Sequence, residues 1–81
     1  MNLSKQSLEN ICSEFSDKYT ITKDELGYLL GVEIDIQYLG DLTGVFDRYD
    51  IELIELRSVS GDTEMCMAIF SRLEIPFSED F

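Results

Sequence analysis

The chain has no histidine, no tryptophan, a single proline at Pro76, two cysteines and only six lysines and arginines. Without histidine it lacks the side chain most often used as general base and metal ligand near neutral pH. No serine or cysteine has an evident base beside it, and no glycine-rich phosphate loop occurs. Glu33 and Asp35, and again Asp47, Asp50 and Glu52, lie close in sequence, but neither set follows the order of a calcium loop. Met65-Cys66-Met67 could suggest a soft-metal site, yet on a strand the two methionines face away from the cysteine, which favours packing. Paired carboxylates suit a glycosidase, but 81 residues leave little room for a sugar cleft. The expectation is a protein that is no enzyme and carries neither cofactor nor metal. No apolar run is long enough to span a membrane. With no secretory leader pattern at the N-terminus, we expect a cytoplasmic protein, in the host cytoplasm if viral, with Cys12 and Cys66 reduced and buried. A disulfide between them is the alternative.

Acid is what the chain has in excess. Seventeen aspartates and glutamates give a net charge of -11. Such a charge repels nucleic acid and anionic membranes and attracts basic protein surfaces. Apolar residues make up 44% of the chain, with four tyrosines and five phenylalanines, so a folded core is expected. The length fits one domain over 1–81, with 78–81 as a loose tail. A single core of this size supplies only about 3–5 kcal/mol.

Taken in order, Leu8, Ile11, Cys12 and Phe15 recur at helical spacing and predict a first helix over Ser4–Lys18. Tyr19–Ile21 reads as a brief strand. Thr22-Lys23-Asp24-Glu25 has the form of a capping box, followed by Leu26, Leu29 and Leu30 on one face and Gly31 as the stop, which predicts a second helix over Lys23–Leu30. Val32 and Ile34 alternate with Glu33 and Asp35, as a strand or as the turn into a third helix capped by Asp35. Leu39, Leu42, Phe46 and Tyr49 mark that third helix. Gly40 and Gly44 weaken it relative to alanine, and glycines four apart also let another backbone approach closely, so that tight packing within the domain or a frayed helix is expected ahead of a helix-docking groove. Ile51–Val59, a Ser60-Gly61-Asp62 turn and Thr63–Phe70 read as a β-hairpin. Its second strand is apolar on both faces, with Met65, Met67 and Ile69 on one and Cys66, Ala68 and Phe70 on the other.

Three segments, TKDELGYLLG, IQYLGDLTGVFDRYD and IELIELRSVSGDTEMCMAIF, give an element order that resembles a winged-helix domain of the helix-turn-helix superfamily. The resemblance implies a small α+β, winged-helix-like domain in which three helices are followed by a β-hairpin. In that family the third helix reads the major groove through basic or amide side chains. Here that helix would offer Gln37, Asp41, Gly44 and Arg48, and Asp24 to Glu55 holds nine acids and one base. Affinity for duplex DNA comes from cations on phosphates, so DNA reading ranks last among the functions and no direct nucleic-acid binding is expected.

Two partner-binding readings remain. In the first, Glu33, Asp35, Asp41, Asp47, Asp50, Glu52 and Glu55 form an acidic surface for a basic, possibly nucleic-acid-binding, face of another protein. By size and charge the chain resembles phage or mobile-element proteins that disarm host enzymes, such as anti-restriction, anti-CRISPR or glycosylase-inhibitor proteins. That resemblance implies a regulator or inhibitor, a DNA mimic with an anti-defence role. In the second, an adaptor or homodimeric subunit of a transcription or lysis-control assembly binds through Ile54, Leu56 and Phe70 and the tail residues Leu73, Ile75 and Phe77.

Overall fold

Ser4 starts the first helix: its hydroxyl oxygen accepts the Ser7 amide at 3.2 Å, satisfying one of the amides that a helix start leaves open. The structure, a computed structural model, describes residues 4–25, 27–59 and 61–72, with residue 62 by its backbone alone. Helix α1 spans Lys5–Ser13 and buries Leu8 and Cys12, one turn apart. It stops short of the expected Lys18. Ser16 bonds the backbone of Lys18 in both directions, accepting its amide at 3.0 Å and donating to its carbonyl at 3.3 Å, and so draws the chain out of the helix.

The predicted second helix does not form. Strand β1 covers Tyr19–Lys23 and strand β2 covers Leu29–Asp35, paired antiparallel with Ile21 opposite Val32. Tyr19, Thr20, Ile21 and Thr22 are all good strand formers, and their run continues through the supposed cap. Asp24 makes the turn. Its carboxylate accepts the Leu29 amide at 3.0 Å, its own amide donates to the Leu29 carbonyl at 3.1 Å, and Gly27 sits at a φ of 81°. Asparagine, aspartate and glycine favour such turns. The Thr22 hydroxyl is directed to the Gly31 carbonyl at 3.5 Å. Gly31 lies in mid-strand, buried, where a Cβ would meet Thr22 Oγ1 at 2.8 Å and Met67 Sδ at 3.4 Å. It is therefore a point of close approach and not a helix stop. Leu26 lies outside the described residues.

Asp35 caps a single 3-10 turn, Ile36–Tyr38, through the Gln37 amide at 3.1 Å, and the turn leads into helix α2, Leu39–Asp47. Leu42 and Phe46 are buried there, and Leu39 and Tyr49 pack against the core. In the turn between the helix and the next strand, Asp50 has a φ of 61°, in the left-handed region that aspartate tolerates better than most residues. Gly40 and Gly44 face open space, with nothing within 4 Å of an added Cβ, so tight packing does not explain them.

Strands β3 (Ile51–Val59) and β4 (Asp62–Arg72) form the expected hairpin, with β4 running two residues further than predicted. The four strands make one antiparallel sheet in the order β1-β2-β4-β3. Among the described residues there are thus two helices and a four-stranded sheet, a small α+β fold and not three helices followed by a hairpin. The winged-helix expectation is overturned at Tyr19–Asp35, where a hairpin replaces a strand and a helix. Both helices cover the same sheet face. Ile21, Leu30, Val32, Ile34, Ala68, Phe70 and Ile51 point into that side and join Leu8, Cys12, Leu42 and Phe46 in one core. Cys12 and Cys66 are both buried and free, without a disulfide.

Candidate protein-interaction surface

Sheet alternation sends every second residue to the face that the helices leave bare. No described element covers that face. The strand register arranges it in rows. Thr20, Glu33, Met67 and Arg57 form one row, Thr22, Gly31, Ile69 and Glu55 the next, and Leu29, Ser71 and Glu52 a third, while Asp35 stands opposite Met65. A half-buried stripe of Met65, Met67 and Ile69 therefore runs along β4, with Glu33 and Asp35 beside it on β2 and Glu52 and Glu55 on β3. Gly31 lets Met67 and Ile69 lean inward, since both approach the place its Cβ would take.

Arg57 is the basic member of these rows, and it pairs within its own strand. Its Nη2 lies 2.7 Å from Glu55 Oε2, and its Nε donates to the same oxygen at 2.8 Å. Both side chains are at least half exposed, and pairs of this kind contribute only about 0–1 kcal/mol. The rows keep a negative balance, from Glu33, Asp35, Glu52 and Glu55 against Arg57.

The seven predicted acids do not share one surface. Glu33, Asp35, Glu52 and Glu55 belong to the bare sheet face by register. Asp41 and Asp47 are exposed on α2, on the opposite side of the sheet, and Asp50 is exposed at the turn behind it. Two of the seven have structural duties: Asp35 caps the 3-10 turn, and Asp50 takes the left-handed conformation in the turn that follows α2.

The apolar set divides as well. Ile54 and Leu56 are exposed on β3. Phe70 is fully buried with its ring against Phe46, so it belongs to the core and offers nothing to a partner. Cys66 and Ala68 are buried beside it. Leu73, Ile75, Phe77 and the proposed loose tail 78–81 lie outside the described residues.

Sequence reasoning missed Leu53 and Leu29, both exposed. A signal for the first was present. Glu52-Leu53-Ile54-Glu55-Leu56 puts two apolar residues in succession, which strict alternation cannot absorb. The pairing with β4 shifts at that point, between Leu53 and Glu55, and leaves Ile54 as the extra residue of a bulge.

Among the described residues no helix is long and apolar enough to cross a membrane, and no three acids, cysteines or histidines are placed to hold a metal ion. Comparison with protein-family models, curated proteins and solved structures found no match.

Proposed function

We propose that the protein is a non-enzymatic acidic interaction module, a regulator or inhibitor that docks on a basic surface of another protein in the cytoplasm, the host's if the protein is viral. One observation carries this reading: no described element covers the sheet face opposite the helices, which has an apolar stripe at its centre and carboxylates on both flanks. Apolar centres with charged rims are the usual build of a protein-docking surface. The net charge of -11 selects cationic partners and speeds their approach at low salt. Where the partner's surface serves nucleic acid, these carboxylates would stand in for phosphates.

The test is a tagged pull-down washed at low and then high salt, repeated with Glu33→Lys/Glu55→Lys and with Asp41→Lys/Asp47→Lys. A partner released by salt and lost with the first pair, but kept by the second, fits docking on the bare face. Loss with the second pair alone moves the interface to α2. Retention that neither salt nor either pair alters ends the acidic-docking reading.

A further inference from the structure

The sheet has two edges, and they differ. Strand β1, five residues long, has Tyr19 and Ile21 packed beneath α1. Strand β3 is nine residues long, pairs among the described residues with β4 alone, and is exposed from Glu52 to Ser58. Leu53 and Leu56 stand opposite Phe70 and Ala68, on the side the helices cover, yet they are 36% and 50% exposed. The helices end short of this edge, with Ile51 the last β3 residue beneath them. Ile54, at the bulge, is 53% exposed. On the other side of the same strand stand Glu52, Glu55 and Arg57, the last two paired with one another, which leaves this side a negative balance.

We infer that the outer edge of β3, which no described strand covers, takes up an extended segment of a partner protein in which basic and apolar residues alternate. The inference rests on the acidic-docking reading and names the partner's form. An edge strand presents unpaired backbone amides and carbonyls that an incoming strand can satisfy, while alternate side chains set specificity. A strand laid beside β3 would bring one set of its side chains against Leu53, Ile54 and Leu56 and the other against Glu52 and Glu55. The first position calls for apolar residues and the second for lysine or arginine. A second copy of this chain fits less well, because it would bring its own Glu52 and Glu55 and a further charge of -11 to the same edge.

The experiment titrates the isotope-labelled full chain with a synthetic peptide of alternating lysine and valine, as long as β3. A peptide of the same composition, with its lysines and valines in separate blocks, is the control. Backbone shifts and amide exchange are followed at low salt. Edge docking predicts slowed exchange at β3 amides and binding at least about tenfold tighter for the alternating peptide. The variant Ile54→Asp/Leu56→Asp keeps the fold, since both side chains are exposed, and adds two negative charges. Its melting curve confirms that it is folded. Edge docking predicts that it binds the alternating peptide about tenfold more weakly, whereas attraction by charge alone predicts tighter binding. Equal binding of both peptides, with shifts spread over the acidic surface, overturns the edge proposal and leaves the acidic-docking reading standing. Binding of neither peptide overturns both. A dimer in the peptide-free protein that Ile54→Asp/Leu56→Asp dissolves gives the edge to a second copy and overturns the proposal.

Discussion

The ring of Phe46 meets that of Phe70 edge-on, with centroids 4.8 Å apart and planes at 76°. This contact joins α2 to the central strand β4, and both side chains are fully buried. Removing either ring to alanine should cost about 3–5 kcal/mol, which matches all the stability that a core of this size supplies. Phe46→Ala and Phe70→Ala are therefore expected to be unfolded in water at room temperature. In Phe46→Leu, Phe70→Leu and the double variant, a coupling of about 0.5–1.5 kcal/mol should remain attributable to the ring pair. Urea melts of the four proteins measure it. A folded Phe70→Ala protein would return that side chain to the list of surface candidates.

Gly40 and Gly44 lie on the solvent side of α2, where a methyl group has open space. Each glycine loses more backbone freedom on folding than alanine would and weakens the helix. Gly40→Ala and Gly44→Ala should each stabilise the protein by about 0.5–1 kcal/mol, and the effects should add to within a few tenths. Thermal or urea melts would show a higher midpoint with unchanged cooperativity. A loss of stability in either variant would mean that the helix needs glycine for a reason other than its own backbone.

The elements that were legible in the sequence are those whose local chemistry agrees with their tertiary place. Leu8 and Cys12 repeat at helical spacing and are buried on α1. Leu42 and Phe46 do the same on α2. The second hairpin was legible from its β-branched and leucine-rich strands around Gly61. At Thr22–Gly31 two local signals conflict. The Thr22-to-Glu25 spacing favours a helix start, whereas Tyr19–Thr22 favours a strand and Asp24 and Gly27 favour a turn. Leu29 and Leu30 fit either pattern, because one helical face and one strand pair both contain neighbours. The conflict is resolved by Val32 and Ile34, which extend β2 so that it pairs with β4 over its whole length and with β1 from Leu30 to Ile34. That resolution depends on residues distant in sequence, and no local window contains it. The bare sheet face was half legible: the two-sided apolar pattern of β4 gave it away, but the acids that flank it are brought together only by the strand order.

Burial pushes the Cys12 thiol up to about 12, with the nearby Glu9 charge adding to the shift, and burial raises Cys66 too, ahead of Asp35. Cys66 also donates to the Ile34 carbonyl at 3.5 Å. Alkylation requires the thiolate, so both groups should react only when the domain opens. With roughly 3–5 kcal/mol of stability, labelling by iodoacetamide at neutral pH should run about 10²–10⁴ times slower than in urea. Mass spectrometry of timed samples reads the rate. Rapid labelling of the native protein at one cysteine would show that its cover opens locally.

Asp24 links the β1–β2 turn to pH. The Leu29 amide bonded to its carboxylate is the largest influence and lowers its pKa below the ordinary 3.8, against an opposing desolvation; the Gly27 and Tyr28 amides and the Lys23 charge lower it further. The unfolded chain, with the higher pKa, therefore takes up the proton first as pH falls. The stabilisation from this bond is complete above the ordinary value and is lost as pH drops through the lower, folded value. Asp24→Ala should accordingly be less stable than the parent at neutral pH, and the gap should narrow only in acid, starting below about 3.8 and closing as the pH falls through the lower, folded value, beneath which the carboxylate is neutral in both states. Comparing the two proteins at each pH cancels the general relief of self-repulsion that protonating the other acids brings to both. Urea melts from neutral pH downward measure the gap. A gap that stays constant into strong acid would mean that Asp24 acts through turn geometry alone and that its charge contributes nothing.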